Sequence, residues 1–110
     1  MSEPFTLFYA LMIAHFICDY PLQGDFLSKA KNPLAPIAGV PWWQAMGAHS
    51  FIHGGAVALV TQNIWLGLLE TTIHFVIDTA KCRGHLTFNQ DQALHIVCKF
   101  MIVLIWGMTQ

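Results

Sequence analysis

The stretch Ile73-His-Phe-Val-Ile-Asp78 sets an imidazole and a carboxylate four residues apart inside an apolar run. On a helix that spacing stacks both side chains on one face, one turn apart. The same spacing recurs at His15/Asp19, His49/His53 and Asp91/His95. Each pair lies in a strongly apolar segment, where an unpaired ionisable group is costly. Helices carrying one functional stripe each, with the stripes joined through a metal, account for all four pairs together.

Around these pairs the composition points to a membrane. The 110 residues suit one domain, spanning 1–110. Hydrophobic residues make up 55% and charged residues only 10%, against about a quarter charged in soluble domains. Mean hydropathy is +0.53. A net charge of −1 leaves no basic patch for nucleic acid. The start, Met1-Ser-Glu-Pro-Phe5, lacks the positive region of a cleaved signal peptide, so insertion is expected to use the helices themselves. Cys18, Cys82 and Cys98 have no CxxC spacing, which suggests neither a disulfide framework nor a zinc knuckle. Cys18 and Cys98 read as packing residues, and Cys82, between Lys81 and Arg83, as the more reactive thiol.

Four apolar stretches follow, roughly Phe5–Cys18, Ala45–Val60, Ile64–Ala80 and Ala93–Met108. With their flanks they approach the lower end of the about 17–25 residues of a spanning helix. The expected fold is therefore all-α: a four-helix transmembrane bundle with an intramembrane metal site. Pro21 ends or kinks the first helix, and residues 23–31 read as a short interfacial helix or a loop. Pro33, Pro36, Gly39 and Pro41 mark the longest connection. Thr61-Gln-Asn63 is so short that it forces an antiparallel hairpin. Gly84 lies in the last turn, and Asn89 is the expected cap of the final helix.

Charge sets the orientation. Lys29 and Lys31 follow the first helix, and Lys81 and Arg83 follow the third. In an up-down bundle these connections share a side, which the positive-inside rule makes cytoplasmic. Both termini then lie outside. Trp42 and Trp43 mark one interface, and Phe5, Trp65 and Trp106 the other. With helix direction alternating, all four pairs fall in one layer near the cytoplasmic side.

That layer would hold His15, Asp19, His49, His53, His74, Asp78, Asp91 and His95. Imidazole and carboxylate suit zinc, manganese or iron, and zinc is the expected ion. Eight groups exceed the needs of one tetrahedral ion and suffice for two, unless some orient the ligands of a single ion from behind. Glu70 lies one turn before His74 and Lys99 one turn after His95. The catalytic reading makes Glu70 a general base and Lys99 a stabiliser of a phosphoryl oxygen. The structural alternative is a buried ion pair that only packs the bundle. His85 reads as a solvated turn residue. Gln23, Asp25 and Gln92 read as either a site mouth or local loop and capping groups.

Together the stretch Ala14-His-Phe-Ile-Cys-Asp-Tyr-Pro-Leu-Gln23, the His49/His53 pair, Ile73–Asp78 and Asp91-Gln-Ala-Leu-His95 resemble domain-of-unknown-function family 3307. These are small integral membrane proteins of bacteria and their phages. The HxxxD pattern is also similar to predicted membrane-bound metal-dependent hydrolases. The resemblance implies a bacterial inner-membrane protein, with the eight residues above matching the family pattern and Gln23 a polar position after its first motif. The expected function is a metal-dependent hydrolase acting on a lipid or phosphoester at the cytoplasmic headgroup level. The alternative is a non-enzymatic bundle stapled by metal, which binds another membrane protein or a second copy of itself. Metal or proton transport is disfavoured, because few polar groups continue across the far half.

Overall fold

A computed structural model describes residues 3–110, and helices are the only regular secondary structure among them. Met1 and Ser2, the first residues of the proposed non-signal start, lie outside the described residues. Five helices follow in order: α1 (Pro4–Asp19), α2 (Gly24–Ala30), α3 (Trp42–Thr61), α4 (Ile64–Cys82) and α5 (Phe88–Met108). The expected count of four is corrected to five. The extra element is α2, in the segment left open between helix and loop. Tyr20-Pro-Leu-Gln23 cannot continue α1, since a proline ring clashes with the turn before it. The chain bends by 82° there before α2 begins.

Local chemistry sets each boundary. Glu3 caps α1, accepting from the backbone N–H groups of Phe5 at 2.8 Å and Thr6 at 3.0 Å. These bonds and one from the Thr6 hydroxyl hold its carboxyl below the usual range. Between α3 and α4 the chain reverses in two residues. Gln62 takes the left-handed conformation (φ 55°), and the Asn63 side chain accepts from Trp65 N at 2.9 Å to start α4. The start of α5 is also corrected: Thr87, not Asn89, is its cap. Thr87 and Gln90 form a reciprocal capping box, which satisfies two backbone donors and so outcompetes a lone Asn. Replacing Thr87 with alanine is expected to cost about 1 kcal/mol, read as a lowered unfolding midpoint with no change in metal content.

α1 and α5 leave the cluster end of the molecule together, and α3 and α4 form the hairpin beside them. At the far end Leu7, Leu11, Val57, Leu66, Ile102 and Trp106 build an apolar core. Trp106 is 7% exposed and belongs to that core. This corrects its assignment as an interface marker, whereas Phe5 and Trp65 are exposed as expected. At the opposite end Arg83 lies over the Trp42 ring, 5.5 Å from its centroid, tying the end of α4 to the start of α3.

Among the described residues, burial does not separate polar from apolar side chains. Twelve polar or charged side chains are buried, as many as the apolar ones. Meanwhile Phe16, Ile17, Phe51, Leu59, Val76 and Phe100 are among many large apolar side chains facing outward. Of the described helices, α5 alone is long and apolar enough to cross a membrane, and α1 with α2 passes as one bent span. The α3 and α4 sequences are diluted by their own inward-facing His, Asp and Glu residues.

Candidate metal centre

Four helices each deliver one pair to a single layer. α1 brings His15 and Asp19 at its end, and α3 brings His49 and His53 near its start. α4 brings His74 and Asp78 near its end, and α5 brings Asp91 and His95 at its start. The five imidazoles pack against one another. His53 and His74 stack at 3.7 Å between centroids, His74 and His95 at 4.3 Å, and His15 lies 5.2 Å from both His53 and His95. All five are at most 1% exposed.

Asp19, His49, His53 and His74 form the tightest group, each offering one ligand atom within 4.8 Å of all the others. A tetrahedral ion with bonds of about 2.0–2.1 Å would need those atoms about 3.3 Å apart, a contraction within reach of side-chain rotation. Asp19 is shared between two halves of the cluster. Its Oδ1 lies 2.9 Å from His53 Nε2 and 3.4 Å from His49 Nε2. Its Oδ2 lies 3.2 Å from both His15 Nε2 and the Gln92 side-chain nitrogen. Asp78 Oδ2 approaches His49 at 3.5 Å and His74 at 3.8 Å. Asp91 Oδ1 is 3.3 Å from His95 Nε2, and Asp91 Oδ2 accepts from Gln92 at 3.2 Å.

Hydrogen bonding does not satisfy this cluster. Both ring nitrogens of His49 and of His74 are buried without a hydrogen-bond partner, as is Nδ1 of His15 and of His95. A buried polar atom left unpaired costs about 1–3 kcal/mol. Several within one cluster fit a cation better than a hydrogen-bonded polar core, and a donor set of imidazole nitrogens and carboxylate oxygens suits zinc.

Glu70 and Lys99 lie one layer deeper, where they pair with each other. Glu70 also accepts from Cys98 Sγ at 3.1 Å and stands 3.9 Å from His74 Nδ1. At that distance Glu70 does not hydrogen-bond the ring, and it stands behind His74 as a buried charge. Neither Glu70 nor Lys99 lines the cavity above the cluster. Among the peripheral candidates, Asp25 is exposed and pairs with Lys29 at 3.0 Å, and His85 is exposed in its turn. Cys82 is half-buried, 3.9 Å from Asp78 Oδ1.

That cavity, of about 120 Å³, opens at the cluster end between α1, α4 and α5. It is lined by Asp19, Asp78, Asp91 and His95 together with Gln23, Gln92, Lys31 and Lys81. Lys31 is the residue the sequence reading missed. It was counted as a loop charge, yet it is 3% exposed and its Nζ donates to Asp78 Oδ2 at 2.5 Å and to Gln23 Oε1. No local spacing links Lys31 to Asp78, because the reversal through α2 makes the contact. Lys81, by contrast, is three residues from Asp78 on one helix, 3.5 Å from its Oδ1, and that spacing was available.

One family model, described as "Protein of unknown function (DUF3307)", matches residues 7–110. No curated protein and no solved structure matches the chain.

Proposed function

The chain belongs to the DUF3307 family, and we propose that this member is a membrane-embedded, metal-dependent hydrolase acting on a lipid or phosphoester at the cytoplasmic headgroup level. The observation that carries it is the Asp19–His49–His53–His74 group, which shares Asp19 with a polar cavity open at the bundle end. Zinc is the ion that the donor set suits, held by these four residues, with His15, Asp78, Asp91 and His95 around them as further ligands or orienting groups. When bound, it supplies Lewis-acid polarisation of a phosphoryl or acyl oxygen and activation of water.

The buried polar cluster beneath an apolar exterior supports the membrane part of the reading. Buried ionisable groups that face one another, under an outer surface of Phe, Leu, Ile and Val, match a bundle whose solvent is lipid. α5, at 21 residues, reaches about 30 Å. Lys29, Lys81 and Arg83 at the cluster end favour a cytoplasmic placement there, with both termini outside. A lipid headgroup would thus lie level with the cavity mouth, where Tyr20 and Phe88 are exposed.

The chain's own residues do the remaining work. Asp19 links the ligand group to the cavity, and Gln92 holds Asp19 and Asp91 in register through its amide. Glu70 lies behind His74 as a buried carboxylate, and Lys99 neutralises it. Hydrolysis requires one coordination position open toward the cavity, whereas a stapled bundle closes it.

Mass spectrometry of phospholipids and isoprenoid phosphates incubated with zinc-loaded wild type and Asp78→Ala tests the proposal. Product is expected with wild type, and at least about a hundredfold less with the variant. Identical lipid profiles, with metal fully bound in wild type, would favour the stapled bundle and its membrane-protein partner.

A further inference from the structure

Lys31 is costly to place where it lies, and pairing with Asp78 does not account for it. Asp78 already faces Lys81 through Oδ1 and two imidazoles through Oδ2. A second ammonium on one carboxylate is more than charge compensation of that carboxylate requires. An ammonium carries three N–H donors, and Lys31 uses two, on Asp78 and Gln23. Lys81 Nζ stands 3.5 Å from Asp78 Oδ1 as an ion pair. Both side chains line the same small cavity, so donors remain for a guest there.

Charge identifies the guest. The cavity walls hold three carboxylates, Asp19, Asp78 and Asp91, and two ammonium groups, Lys31 and Lys81. Three negative and two positive charges leave −1, which repels an anion. A divalent ion in the adjoining group raises the sum to +1, which attracts one. A phosphate oxyanion supplies about −1.5 to −2 charge and three strong acceptor oxygens, matching both the charge and the spare donors. Alongside, an apolar groove of about 350 Å³ between α4 and α5 contains Ile77 and Leu94, the chain neighbours of Asp78 and His95. It gives an alkyl tail a place to lie while a phosphate occupies the cavity.

We propose that Lys31 and Lys81 form a phosphate subsite beside the metal-binding group, specific for the terminal phosphate of a phosphomonoester and filled only when the metal is bound. This rests on the metal reading above and extends it to substrate class. Lys31 is the inner contact, because the turn back through α2 carries it, 3% exposed, against Asp78 in the cavity wall. Lys81 is the outer one, half-buried at the end of α4.

The full chain in phosphatidylcholine nanodiscs, with zinc measured in every sample, allows a direct test by titration with inorganic phosphate. Zinc-loaded wild type is expected to bind phosphate, and zinc-free protein at least tenfold more weakly. Lys31→Met should lose at least tenfold in affinity and Lys81→Met several-fold, both at wild-type zinc content. Lys29→Met removes the same charge from an exposed position and should leave binding unchanged. Phosphate that fails to bind the zinc-loaded wild type overturns the subsite while leaving the metal centre standing. So does equal affinity in Lys81→Met, which decides the matter if Lys31→Met does not fold. Loss in Lys29→Met as large as in Lys31→Met reduces the effect to net charge and also overturns it. Wild type without stoichiometric zinc defeats the metal centre and the subsite together. Phosphatidic acid added to the nanodiscs separates the two sources of phosphate. Displacement of inorganic phosphate identifies a lipid headgroup, and no displacement a soluble phosphomonoester, and the subsite stands in either case.

Discussion

Replacing His74 with alanine is expected to lower zinc affinity at least about a hundredfold and to destabilise the bundle by about 3 kcal/mol. His74 is the centre of the imidazole cluster, with His53 at 3.7 Å, His95 at 4.3 Å and His49 at 4.9 Å between ring centroids. It contributes one donor to the four-residue group, and both its nitrogens are otherwise unpaired. Truncation removes a ligand, opens a void in a closely packed layer, and leaves Glu70 and Asp78 without the ring between them. Elemental analysis of purified protein, never exposed to chelator, gives the metal content, and thermal unfolding gives the stability. His85→Ala, in the exposed turn, should match wild type in both. A wild type that is folded and carries no metal would leave interhelical hydrogen bonding as the better account of the cluster.

A comparably large effect is expected at a residue that touches no ligand. Gly54 sits where α3 and α4 approach most closely. A Cβ there would lie 1.7 Å from Thr71 Oγ1 and 2.5 Å from the Gly67 carbonyl oxygen. The second clash is with backbone, so side-chain rotation cannot relieve it. Gly67 faces the same seam, its own added Cβ falling 2.6 Å from Ala58 Cβ and 2.7 Å from the Gly54 carbonyl. Small residues at such a crossing let two helix backbones come together. Gly54→Val is expected to cost about 3 kcal/mol or more. It should also reduce bound zinc, because splaying α3 from α4 separates His49 and His53 from His74. Gly55→Val, one residue on and facing open space, is the matched control. A wild-type unfolding midpoint and full zinc in Gly54→Val would show that the close crossing does not hold the two halves of the site together.

Much of this architecture was legible before the fold was known. His and Asp at i,i+4 in apolar runs specified helices with one polar stripe each, because a helix repeats its face every three to four residues. Thr61-Gln-Asn63 is too short for anything but a reversal between α3 and α4. Alternating helix direction then forces late pairs on α1 and α4 to meet early pairs on α3 and α5. Each of these inferences depends on geometry within one helix or one turn, which residue type and spacing determine locally.

Other features depended on the tertiary structure. Thr87 over Asn89 as the cap was a local competition that the capping box decided. Trp106 moved from interface to core because it belongs to the apolar cluster formed by α1, α3, α4 and α5. The tight four-residue group among eight candidates was settled by side-chain reach across three helices. The Glu70–Lys99 pair one layer below the cluster was an arrangement the spacing already offered, whereas their absence from the cavity wall depended on packing across a fourth helix. The sequence by itself determined an all-helical chain whose four i,i+4 pairs gather at one level, since helical periodicity and alternating helix direction bring them there. Only the tertiary structure decided that Lys31 joins them, because an 82° bend and a seven-residue helix set its direction, and no spacing along the chain encodes where a reversed segment lands.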